Sequence, residues 1–152
     1  MKYTALRMTV VAALAFGAGL AVAHLPQPAR AAAAPLQAAV IDLAALTPSD
    51  LPTPTAASPN VRTKVLAVAD GATAQLQIGT VAKHYHADAN EIQIVMSGSG
   101  TEWLGDKQVT LKPGMMLIIP AGTPHGGTTD ANLKIAAFKT PPQAATDVHP
   151  LP

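Results

Sequence analysis

The chain has 152 residues, a formal net charge of +1 and 12% charged residues, so it fits one domain and carries no basic surplus for a nucleic-acid partner. It has no cysteine, which excludes disulfides, thiolate metal ligands and a cysteine nucleophile.

The first segment reads as a targeting signal. Lys2 and Arg7 give a positive start, and Met8 to Ala23 is an uncharged apolar run of 16 residues ending Ala21-Val22-Ala23, a small-x-small cleavage pattern. A bilayer-spanning helix needs about 20 residues, so residues 1–23 are expected to be a cleaved signal peptide, with an uncleaved anchor as the alternative. Ala29-Arg30-Ala31 and the following alanines offer later cleavage positions. The start MKYTALR has no twin arginine, so the expected route is the general secretory one, to the periplasm or outside, with no stable membrane anchoring after cleavage.

Residues 24–60 hold seven of the 14 prolines and read as an extended leader or linker. Within them Ala38 to Leu46 is apolar enough to lie against the domain as an edge strand or a turn of helix. From Arg62 the texture changes to short strand-like runs. Strands are expected at 63–68, 73–81, 91–96, 101–104, 108–111, 115–119, 126–128 and 133–138. Turns are expected at Asp70-Gly71, Gly105-Asp106 and Pro113-Gly114. Many short strands and no helical pattern predict an all-β sandwich or barrel over residues 61–140. Residues 141–152, with four prolines, are expected to be a loose tail. Met115 to Ile119 is apolar on both faces, which predicts cover on both sides, by the leader or by a second subunit, and leaves a homodimer open.

Four residues carry the chemistry. His84 and His86 stand at i and i+2, which on a strand puts both imidazoles on one face. Glu91 opens the next alternation, shared by Gln93 and Val95, and His125 follows Pro120-x-Gly122. Imidazole with carboxylate suits a divalent transition metal: zinc, copper, manganese, iron or nickel. Tyr85 points the other way and is assigned to packing; His24 and His149 are assigned to leader and tail. No nucleophile elbow, phosphate loop, His-Glu-x-x-His helix or dinucleotide fingerprint is present.

Gly79, His84-x-His86, Glu91 and Gly98 resemble the first cupin motif, and Gly114, Pro120-x-Gly122 and His125 resemble the second, with 15 residues between the two. Gly79 stands one position closer to His84 than the usual pattern, and Thr129 replaces the usual Asn of the second motif. The resemblance covers about half of the chain. It implies a jelly-roll (double-stranded β-helix) barrel, one divalent metal on His84, His86, Glu91 and His125, and a small-molecule substrate or ligand. It names no catalytic residue beyond those ligands. The implied activities include dioxygenases, decarboxylases, isomerases, cyclases and lyases, with oxidoreductase placed first and a non-catalytic exported ligand- or metal-binding module as the alternative. An acid or base in the cavity besides the ligands would favour the enzyme. No helix-turn-helix follows the barrel, which argues against a transcriptional sensor.

Overall fold

A computed structural model describes residues 35–69 and 71–152. The expected signal peptide, His24, the later cleavage positions and Asp70 lie outside the described residues.

Ten strands are present: β1 (Val61–Ala69), β2 (Ala72–Gly79), β3 (His84–Tyr85), β4 (Asn90–Ser97), β5 (Gly100–Leu104), β6 (Lys107–Leu111), β7 (Met116–Ile119), β8 (His125–Gly126), β9 (Lys134–Thr140) and β10 (His149–Pro150). They form two five-stranded sheets, β1-β2-β9-β4-β7 and β10-β3-β8-β5-β6, with antiparallel pairing throughout. All eight expected strands are found, and the short β3 and β10 are additional. No α-helix occurs among the described residues; a 3-10 turn spans Pro48–Asp50. The fold is the all-β jelly roll expected of the sequence.

Period-two alternation explains how the interior is filled. On β7, Leu117 and Ile119 are buried while Met116 and Ile118 face outward. Leu117 and Ile119 join Val95, Leu111, Leu133, Ile135 and Ala137 in the main apolar cluster between the sheets. Each fully buried aliphatic side chain of this kind stabilises the fold by about 1.5–3 kcal/mol. Removing that apolar surface from water holds the two sheets face to face. On β4 the alternation is inverted in chemistry: Glu91, Gln93 and Val95 are inside, and Ile92, Ile94 and Met96 are outside. Polar groups therefore occupy one end of the interior and apolar groups the other.

Four expectations require correction. The described part of the leader does not cover the outer face of β7, where Met116 and Ile118 are exposed, at 59% and 68%. Ala38 to Leu46 forms no strand; its last residues make a turn whose carbonyls at Leu43, Ala44 and Leu46 accept hydrogen bonds from the Lys134 ammonium. The end of the leader is not a free linker, since Leu51 is buried against Leu76 and Ile78. Arg62 fastens the same stretch by donating to the Leu51 and Pro52 carbonyls. The tail is not loose. β10 pairs with β3, and the Leu151 N–H donates to the Lys83 carbonyl. Proline discourages regular structure but does not prevent docking by side chains and carbonyls, which explains both misreadings.

Candidate metal centre

Two cross-strand pairs build the site, one from each sheet. His84 on β3 stands directly opposite His125 on β8, and Glu91 on β4 stands directly opposite Lys139 on β9. The facing sheets bring these pairs together, and His86 follows β3 closely enough to join them. One ligand atom from each of His84, His86 and His125 lies within 4.8 Å of the others, and all three residues are buried. Glu91 Oε2 lies 3.1 Å from His86 Nε2 and 3.4 Å from His125 Nε2. Three of the four residues singled out in the sequence therefore converge, and Glu91 lies beside two of them, His86 and His125, outside the mutual group of the three imidazoles.

The second nitrogen of every ring is committed elsewhere. His84 Nδ1 is 2.8 Å from the Ala82 carbonyl, His125 Nδ1 is 2.9 Å from the Thr123 carbonyl, and His86 Nδ1 bonds the Asp147 carbonyl. A carbonyl can only accept, so each Nδ1 carries a proton, and in the neutral ring Nε2 is left with the lone pair that a metal would take. Backbone carbonyls fix metal-binding imidazoles in this way, setting tautomer and ring angle together.

Burial shapes the charges. Desolvation, with the nearby His125, lowers the His84 pKa to about 4, so its ring is neutral at pH 7. Burial lowers His125 as well, but the Glu91 carboxylate outweighs it and the net direction is upward. Burial works against the Glu91 charge, yet His125, His86 and Lys139 hold its carboxyl well below the ordinary value. His125 Nε2 is buried with no hydrogen-bond partner, and the nearest Glu91 oxygen lies 3.4 Å away. A desolvated lone pair beside two other imidazoles and a carboxylate suits a metal cation, and the donor set is the nitrogen–oxygen type that transition metals take. The residues present fit such an ion.

Three features escaped the sequence reading. Lys139 Nζ is buried 3.4 Å from Glu91 Oε2 and 3.2 Å from His86 Nε2, and donates to Gln143 Oε1. Its signal was parity: Ile135, Ala137 and Lys139 share the inner face of β9, but the expected strand stopped at Phe138. Glu102 on β5 is fully buried; Oε1 accepts from the Gly126 N–H, and burial pushes the carboxyl up to about 7. A four-residue strand without alternation gave no warning of it. Asp147 lies in the supposed tail and accepts from the N–H groups of Ala87, Asp88 and Ala89, fixing the turn between His86 and Glu91. Burial opposes its charge, but those three donors lower its pKa. His149 also belongs to the fold, stacked on Tyr85 with centroids 4.7 Å apart, which bears out the packing role of Tyr85.

The site opens into a cavity of about 320 Å³. Gln75, Gln77 and Gln93 line its walls, and residues 57–60 lie at its margin. Val95, which shares the parity of Gln93, packs in the apolar core instead.

Residues 72–137 match the cupin domain family, a span that contains His84, His86, Glu91 and His125. A cupin-2 domain containing protein from Shewanella frigidimarina is 30% identical, over 51% of this chain and 78% of that one, with a TM-score of 0.45. The chain belongs to the cupin superfamily. A Streptomyces PAC13 variant with uridine is similar in fold to this cupin, with a TM-score of 0.55 at 14% identity over 61% of this chain and 79% of that one. KdgF from Halomonas gives 0.51 at 20% identity over 57% and 84%. At these identities the likeness is one of fold. No curated protein matches the chain by sequence.

Proposed function

We propose that this cupin is an exported, metal-dependent enzyme acting on a small oxygen-rich organic molecule. Its ligands are His84, His86, Glu91 and His125. The observation that carries the reading is the set of three Nδ1–carbonyl bonds, which leaves three Nε2 lone pairs directed to one place beside Glu91. A divalent metal there would supply Lewis acidity toward a substrate oxygen or, if redox-active, dioxygen chemistry.

Lys139 favours an enzyme over a non-catalytic binding module. It is the buried protonable group in the cavity besides the ligand set, placed to hold or pass a proton at Nζ. Gln75, Gln77 and Gln93 would orient hydroxyl and carbonyl groups, each amide having both a donor and an acceptor. This arrangement supports proton transfer at a carbon next to a polarised oxygen, the chemistry of lyases and isomerases. Dioxygenase chemistry is the second reading, supported by the same ligand set. Uridine in the PAC13 structure and the description of that protein as a nucleoside dehydratase agree with the small-molecule scale of the cavity.

The test is metal analysis of protein purified from its exported compartment, followed by a turnover screen with dioxygen uptake recorded over diketones, flavonoids, oxalate and hydroxy acids. Metal-dependent turnover without dioxygen uptake supports the lyase or isomerase reading; uptake in step with turnover supports the dioxygenase. Stoichiometric metal without turnover of any of them would favour the binding module.

A further inference from the structure

The Lys139 ammonium has three acceptors around it: Glu91 Oε2, His86 Nε2 and Gln143 Oε1. Two of the three belong to the proposed ligand set. Were Glu91 and His86 to hold a metal, Lys139 would lose both as acceptors and gain a positive charge beside it. Glu91 is the one carboxylate among the described residues lining the cavity. The other buried acids offer no replacement: the Asp147 oxygens are held by three backbone N–H groups, and Glu102 lies outside the cavity lining, bonded to the Gly126 N–H. The cavity wall next to the ammonium is otherwise formed by neutral amides, Gln75, Gln77 and Gln93. A buried ammonium left with Gln143 and the indirect charge of Asp147 is costly, and an anion entering from the cavity would satisfy it.

We propose that metal loading converts Lys139 from the partner of Glu91 into the anchor for a carboxylate, so that the substrate is a small hydroxycarboxylate and its binding is coupled to the metal. This rests on the metal reading above and adds the substrate class to it. The buried Lys139 ammonium matches one carboxylate, since the other lysine of the lining, Lys83, sets its ammonium over the Trp103 ring, and the amides take up the hydroxyls. Coupling of this kind is reciprocal: whatever factor the metal adds to anion affinity, the anion adds to metal affinity.

The experiment is calorimetric titration of glycolate into metal-free and zinc-loaded protein, with 1,2-ethanediol as the neutral comparison. The expected result is glycolate binding at least roughly tenfold tighter to zinc-loaded protein, with no such gain for ethanediol. Zinc-loaded Lys139→Met should lose most of that gain and Lys139→Arg should keep most of it. Lys139→Gln, which retains a polar end, takes the place of Lys139→Met if the latter does not fold. Equal glycolate affinity for the variant and the parent, both zinc-loaded, would overturn the proposal, because the metal alone would then account for binding. Release of one proton per zinc from Lys139, without glycolate uptake, would overturn it too. If zinc does not bind the parent protein, the metal reading itself fails; zinc binding without the Lys139 effect sinks only the anion anchor.

Discussion

Single atoms decide this site. His86→Ala removes an imidazole whose Nδ1 is held by the Asp147 carbonyl and whose Nε2 faces Glu91. A ligand that binds only the folded state stabilises it by RT ln(1 + [L]/Kd), so zinc should raise the melting temperature of the parent and leave His86→Ala nearly unmoved. Gly126→Ala acts from behind the ligands. At φ +88 a side chain is strained, and its Cβ would lie 2.6 Å from the Ala82 carbonyl and 3.2 Å from His84 Nδ1, the two atoms that set the His84 ring. The expected loss is about 2–3 kcal/mol of stability, read by denaturant titration, together with weaker zinc binding. Glu102 gives a pH signature in metal-free protein. Its folded pKa, about 7, lies above the ordinary 4.5, so its contribution is complete below pH 4.5 and is lost as pH rises through 7. Glu102→Gln stays neutral, and at pH 8 it should be more stable than the parent by about 2 kcal/mol, with the gap closing near pH 4.5. His84 runs the other way: its pKa is depressed, so its contribution holds above pH 6.5 and is lost as pH falls toward 4. A Glu102→Gln gain of equal size at pH 5 and pH 8 would rule out the buried neutral acid.

At the scale of elements, the tail is the piece with the most leverage. Its Asp147 carbonyl fixes the His86 ring, and its carboxylate fixes the turn at residues 87–89. Deleting residues 141–152 should therefore weaken zinc binding by roughly 10–100-fold, as loss of a group orienting a ligand typically does. Unchanged affinity in the folded truncation would show that the tail only packs. The sequence reading failed here because proline-rich composition reports backbone preference, while Asp147 acts through one carbonyl and one carboxylate at a long sequence separation. Strands were legible where apolar and polar residues alternate, as on β2, and where turns carry glycine, as at Gly105 and Gly114. The ligand set was legible because two strands and a turn set its spacing. Lys139 was hidden by a strand boundary drawn one residue short of it. Glu102 was hidden because one acid in a short strand does not reveal which face it takes.

At the scale of the whole molecule, the outer face of β7 exposes Met116 and Ile118, and the ligands exist as a site only after both sheets form. We propose that the chain crosses its membrane unfolded, so metal is acquired outside, where affinity order favours copper and zinc over manganese and iron. Protein exported with residues 1–23 and protein retained without them should then differ in bound metal under matched supply; identical content would show that compartment does not select the ion. The proposed site itself is one ion held by three imidazoles and one carboxylate. Zinc-edge X-ray absorption of protein loaded one to one measures that directly. The expected result is a first shell of nitrogen and oxygen at about 2.0–2.2 Å, with outer-shell scattering from three imidazoles, falling to two in His125→Ala. Fewer than three imidazoles around zinc in the parent protein, or no stoichiometric uptake at all, would contradict it.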